Sequence, residues 1–94
     1  MSTLDAHDGK HEMADKQKPV TVYWRPGCGF CARLFKGLES TDLVYERRNI
    51  WEDTDAAAYV RSVANGNETV PTVKVGRKGM VNPSVEAVLA AAGR

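Results

Sequence analysis

A chain of 94 residues has room for one domain and not two, since domains run to about 100–200 residues. Its 43% hydrophobic and 27% charged residues are the mix of a folded globular protein, and a formal net charge of +1 supplies no field to hold nucleic acid or an anionic membrane surface. No apolar run approaches the roughly 18 residues of a membrane helix. Residues 1–18 are polar, lack the apolar stretch of an export signal and show no period. They read as a mobile tail ahead of one domain over 19–94. A reducing, cytoplasmic compartment and a monomeric chain are expected.

The regular pattern begins at Val20. Residues 20–24 are β-branched and aromatic, a strand by composition, and Arg25-Pro26-Gly27 breaks it. Residues 30–38 place Cys31, Leu34, Phe35 and Leu38 at helical spacing. Residues 43–50 read as a second strand, with Leu43, Val44, Tyr45 and Ile50 as its apolar members. Asp53 or Thr54 caps a second helix that carries Ala56, Ala57, Val60, Val63 and Ala64 on one face. Asn65-Gly66-Asn67 ends that helix. Thr72-Val73-Lys74-Val75 alternates as a third strand. The four residues 76–79 then reverse the chain into a short fourth strand, Met80-Val81. Asn82 caps a last helix with Pro83 at its first position, Val85, Val88 and Leu89 on its buried side, and Gly93 as its stop. The order βαβαββα predicts an α/β fold, a mixed four-stranded sheet flanked by three helices, whose first half is a right-handed parallel crossover.

The two cysteines decide the class of chemistry. Cys28 and Cys31 lie within four residues, so a disulfide between them closes a tiny loop and constrains the unfolded chain little. Such spacing serves redox chemistry better than stapling. Coming after a strand and opening a helix, Cys28 meets free backbone N–H groups and the positive end of the helix dipole, which favour thiolate over thiol. Arg25 adds a nearby positive charge. Cys31 lies one turn further in, on the same helix face. Cys28 is therefore assigned as nucleophile and Cys31 as the resolving thiol; Gly29 leaves space for a substrate and Phe30 gives it an apolar flank. Two other readings compete: an inert buried pair, and a zinc site combining the cysteines with His7 and His11.

Thr69-Val70-Pro71 is the second informative segment. A proline cannot donate to a sheet ladder, so one placed just before a strand leaves the preceding backbone free for another extended chain. Taken by itself, Pro71 reads as an ordinary strand-start proline. The turn Asn82-Pro83-Ser84 offers free N–H groups to a carboxylate or acts as a plain cap. Arg47, Arg48, Arg77 and Lys78 read as solvated faces, and Tyr23, Trp24 and Tyr59 as core or sheet surface.

From Val20 to Ala92 the chain resembles the glutaredoxins, and within them the actinobacterial mycoredoxin branch. The matching features are the first strand, Arg25-x-Gly27-Cys28-Gly29-Phe30-Cys31, Thr69-Val70-Pro71, and Asn82-Pro83-Ser84 before the last helix. The resemblance implies a thioredoxin fold with a cis peptide at Pro71. It implies that Cys28 attacks mixed disulfides and becomes joined to a small thiol, that a second thiol molecule or Cys31 releases it, and that the Val70 backbone pairs with the bound thiol compound. Substrate contacts are implied for Arg25, Gly29, Phe30, Thr69, Val70, Pro71, Asn82 and Ser84. Glutathione-using members carry a Gly-Gly or Gly-Cys pair and acidic residues before the last helix. Asn82-Pro83-Ser84 stands there instead, which points to mycothiol as the reducing co-substrate and to mycothiolated or otherwise disulfide-bearing proteins as clients. No bound cofactor is implied, and the mycothiol would be kept reduced by a separate NADPH-linked enzyme. The triplet Cys28-Gly29-Phe30 is also similar to the iron–sulfur glutaredoxins, but Cys31 replaces their serine. An iron–sulfur or metal carrier, and a dithiol redoxin fed directly by thioredoxin reductase, are the alternative functions.

Overall fold

The computed structural model describes residues 17–94. The expected tail and the two histidines of the zinc reading lie outside the described residues, apart from Gln17 and Lys18. Seven elements follow in chain order: β1 (Val20–Trp24), α1 (Gly29–Glu39), β2 (Glu46–Asn49), α2 (Thr54–Val63), β3 (Thr72–Val75), β4 (Lys78–Val81) and α3 (Val85–Ala92). The strands form one mixed sheet in the order β2-β1-β3-β4, with β1 and β2 parallel and the other two pairs antiparallel. This is the architecture that the sequence pattern predicts.

Alternation along the sheet sends side chains to two layers. Val22 and Trp24 face α1, where Trp24 meets Phe35 edge-on at 6.1 Å between ring centroids. Tyr23 faces the other way and packs its ring 4.9 Å from that of Tyr59 on α2. Leu38, Val22, Val60, Val73 and Val88 are fully buried and join the helices to both sides of the sheet. Two glycines set the closest approaches. A Cβ on Gly37 of α1 would lie 2.5 Å from Cγ2 of Val85, and one on Gly79 of β4 would lie 2.7 Å from the hydroxyl of Tyr59 and 2.7 Å from Cγ2 of Val63. No buried side-chain nitrogen or oxygen lacks a hydrogen-bond partner among the described residues.

Four local expectations are corrected. The second strand begins at Glu46 rather than residue 43, because its partner β1 starts at Val20 behind Pro19, which has no N–H for a ladder. The backbone of Val44 is satisfied instead by the side-chain amide of Gln17. Oε1 accepts the Val44 N–H at 3.2 Å, and Nε2 donates to the Val44 carbonyl at 2.7 Å. Gln17, grouped with the tail by its polarity, is thereby buried against the domain. The hairpin turn is only Gly76-Arg77, since Val75 pairs with Lys78; β4 therefore contains Lys78 and Gly79. Asn82 does not cap the last helix. It adopts φ 49° and donates its N–H to the Pro71 carbonyl at 2.7 Å, and the cap falls to Ser84, whose Oγ accepts the Ala87 N–H at 3.0 Å. Asp53, one of the two caps expected for α2, fills that role by accepting the Ala56 N–H at 3.0 Å, and Gly93 ends α3 at φ 89°.

Candidate active site

The chain leaves β1 through Arg25-Pro26-Gly27, with Gly27 at φ 79°, a conformation that glycine adopts without steric cost. Cys28 follows with extended backbone angles and is the N-cap of α1. Its side chain does what a capping serine or aspartate does elsewhere: Sγ accepts the N–H of Cys31 at 3.1 Å. The first-turn N–H groups and the positive end of the helix thus surround this sulfur. Across the sheet end, the Cys28 thiol donates to the Val70 carbonyl over 3.7 Å. The Val70-Pro71 peptide is cis, as the family resemblance implies. Pro71 is anchored on its other side by the Asn82 N–H, and the Thr72 hydroxyl donates to the Thr69 carbonyl at 2.7 Å.

The two cysteines are both free thiols with opposite surroundings. Cys28 is half-buried and open to solvent, whereas Cys31 is only 1% exposed. Burial, reinforced by a hydrogen bond to Cys28, pushes the Cys31 thiol up to about 12; the backbone hydrogen bond and charge of Arg25 offset this only in part. Cys31 therefore stays protonated at neutral pH, and Cys28 is the more accessible of the two thiols.

Two grooves flank the helix that carries this pair. One, of about 280 Å³, is lined by Phe30, Arg33, Leu34, Asn82, Pro83, Ser84 and Val85. The other, of about 170 Å³, is lined by Trp24, Arg25, Gly27, Cys28, Cys31, Ala32, Phe35 and Arg47. On a helix, Phe30, Arg33 and Leu34 lie on one flank of α1, and Cys31, Ala32 and Phe35 on the other. Arg33 stacks over the exposed Phe30 ring at 5.5 Å, and Arg25 over the exposed Trp51 ring at 5.6 Å.

The structure brings most of the sequence-predicted site residues together. Arg25, Gly29, Phe30, Val70 and Pro71 surround Cys28 and Cys31, and Asn82 and Ser84 rim the larger groove. Gly29 is exposed, and a Cβ there would meet nothing within 4 Å, so its space is open. Thr69 is exposed, and its carbonyl is already occupied by Thr72. Sequence reasoning missed Arg33, Trp51 and Arg47. Arg33 was legible as the residue three beyond Phe30 on a helix. Arg47, read as a solvated face, reaches the site only because parallel pairing with Val22 sets it beside Phe35, with the guanidinium 3.9 Å from that ring centre. Among the described residues no cluster of three or more metal-ligating side chains occurs, and no helix is long and apolar enough to cross a membrane.

A cysteine capping the helix after the first strand, a second cysteine one turn on and a cis-proline backbone opposite them define a thioredoxin-fold protein with a CxxC redox pair. Comparison with known proteins narrows this class. The glutaredoxin family matches residues 20–80. A Mycobacterium tuberculosis protein provisionally named as a glutaredoxin is 39% identical over 72 residues, covering 76% of this chain and 86% of that protein. Mycoredoxin 1 of Corynebacterium glutamicum is 38% identical over 55 residues, 58% of this chain and 67% of the relative. The solved holo form of glutaredoxin C1 from Populus tremula x tremuloides superposes with a TM-score of 0.56 at 25% identity, over 84% of this chain and 81% of that one. The chain belongs to the glutaredoxin family and is a glutaredoxin-like thiol–disulfide oxidoreductase built on the pair Cys28–Cys31.

Proposed function

We propose that this protein reduces mixed disulfides between mycothiol and protein cysteines in the reducing cytoplasm, with Cys28 as nucleophile. The observation that carries the reading is the placement of Cys28 Sγ, open to solvent, within 3.1 Å of the Cys31 amide and 3.7 Å of the Val70 carbonyl. Negative charge on that sulfur is met by an N–H and a helix end when it attacks and again when it leaves. Cys28 forms a bond to the mycothiol sulfur as the mixed disulfide breaks, and the client departs as a thiolate that takes a proton from water. A second mycothiol then attacks the Cys28 adduct, giving mycothiol disulfide and free Cys28. In sum one free mycothiol is consumed: the client thiol is released, and that mycothiol leaves as mycothiol disulfide with the one the client carried, with no bound cofactor required.

The larger groove supports the choice of thiol. Besides Arg33, it is lined by Asn82 and Ser84, uncharged polar residues suited to a sugar-bearing thiol, and by Phe30 as an apolar wall. Mycoredoxin 1 among the relatives supports the same choice. The Val70 backbone, just ahead of the cis Pro71, offers the bound thiol a chain to pair with. A second reading is a dithiol cycle in which Cys31 releases the adduct; the position of Cys31 one helical turn from Cys28, with its amide 3.1 Å from the Cys28 sulfur, favours it.

The test is to incubate the reduced Cys31→Ser variant with mycothiol disulfide and glutathione disulfide separately and weigh the products. Mycothiol should add once, at Cys28, and faster than glutathione. Preferential addition of glutathione, or an adduct elsewhere, overturns the assignment.

A further inference from the structure

We propose that the smaller groove is the docking site for the client polypeptide and selects cysteines flanked by acidic residues. This inference rests on the reading of Cys28 as the attacking thiol. In disulfide exchange three sulfurs line up, with that of the small thiol between Cys28 and the client, and the carbon chains on the second and third sulfurs turn off that line in different directions, so the small thiol and the client polypeptide lie along different sides of the Cys28 helix. The structure supplies two such sides. The larger groove lies along the Phe30–Arg33–Leu34 flank of α1, and the smaller along the Cys31–Ala32–Phe35 flank, reaching Cys28 itself.

The chemistry of the smaller groove is cationic. Arg25 and Arg47 line it, and no carboxylate does. Among the described residues Arg25 donates only to the Pro26 carbonyl and has no ion pair. Arg47 lies flat on Phe35 and reaches Glu39 at 3.2 Å, a pair exposed at both ends that a competing carboxylate displaces at little cost. Both guanidiniums are held by stacking, Arg25 on Trp51 and Arg47 on Phe35, which orders the fork while leaving N–H edges free for bidentate contact with a carboxylate. The exposed Trp51 ring extends this platform past the groove, giving the next residues of a client an apolar surface.

The covalent step is the exchange already described. Cys28 Sγ bonds to the small-thiol sulfur, the mixed disulfide breaks, and the client cysteine leaves as thiolate and is protonated by water. The acidic neighbours of that cysteine stay on Arg25 and Arg47 while the bond is exchanged.

The test uses the reduced Cys31→Ser variant of the full chain and two single-cysteine peptides, each in mixed disulfide with 2-mercaptoethanol. They differ only in carrying Glu or Lys on both sides of the cysteine. Release of peptide thiol and the mercaptoethanol adduct on Cys28 are followed in single turnovers, with hydroxyethyl disulfide as the uncharged reference. The Glu peptide should react at least about tenfold faster than the Lys peptide at low salt, with the gap closing as salt rises. Arg47→Gln should narrow the ratio and Arg47→Glu should reverse it, an exchange of preference that a loss of fold does not produce. Equal rates for the two peptides overturn the proposal while leaving the role of Cys28 standing. No reaction with any of the three disulfides overturns that role and the proposal with it.

Discussion

The amide of Cys31 donates a 3.1 Å hydrogen bond to the sulfur of Cys28, so the second cysteine supports the first through its backbone. Serine at position 31 keeps that amide and loses only the thiol. Cys28→Ser should therefore reduce turnover of a mycothiolated protein below about a thousandth, while Cys31→Ser retains most of it. The assay is release of mycothiol from the substrate at saturating mycothiol. An inactive Cys31→Ser variant would show that the buried thiol resolves the adduct.

Because burial holds the Cys31 thiol up near 12, the native reduced chain should take one iodoacetamide label near neutral pH and two after unfolding. Intact-mass measurement with and without denaturant counts them. Two labels on the native chain would sink the division of roles.

The same burial sets an alkaline limit. Cys31 titrates at about 12 when folded and at about 8.5 when unfolded, a folded value raised above the unfolded one. Its contribution to stability is whole below the unfolded value and drains away as pH rises towards the folded one. Burial raises the tyrosines Tyr23 and Tyr59 in the same direction. Urea midpoints of the reduced protein should fall as pH rises from about 8 to about 11, and less steeply in Cys31→Ser.

In acid two carboxylates held below their usual range matter, Asp42 beside Arg94 and Asp53, and Asp53 is the one that caps a helix. Its carboxylate is held below its usual range by the Ala56 N–H and then by Arg48 at 2.9 Å. A depressed value means that its stabilising effect is present above about 4 and lost as pH falls through the lower folded value. Asp53→Asn keeps an oxygen for the cap but does not titrate. Its melting temperature should fall less on acidification than that of the parent; an equal fall would place the acid sensitivity elsewhere.

Gly79→Ala tests the packing of α2 on β4. The added Cβ would lie 2.7 Å from both the Tyr59 hydroxyl and Val63 Cγ2, and the overpacking should cost about 1–3 kcal/mol in urea unfolding. Undiminished stability would mean that α2 shifts freely.

How much of this was legible in the sequence depended on whether the determinant was local. β1 was read to the residue because a β-branched run ends at Arg25-Pro26-Gly27, and Cys28 was placed at a helix start for the same reason. The second strand and the last cap were misplaced because partners distant in sequence decide them. Pro19 and Gln17 determine where β2 starts, and the Pro71 carbonyl draws Asn82 into an αL conformation that starts α3 two residues late. In the site, the pair of cysteines announced itself by spacing, whereas Pro71 by itself reads as an ordinary strand-start proline and its cis peptide was legible only through the family resemblance. Arg47 did not, because nothing near it in the chain specifies the parallel register with Val22 that brings it beside Phe35.

Gln17 carries a consequence for any shortened form of the chain. Its side chain occupies the N–H and C=O of Val44, an exposed residue just ahead of the outermost strand. A version starting at Pro19 would uncover a vacant backbone pair beside an apolar side chain, the combination on which foreign strands seed. Domain boundaries chosen by composition alone would cut away this stopper, and self-association growing with protein concentration is the behaviour to look for in such a truncation.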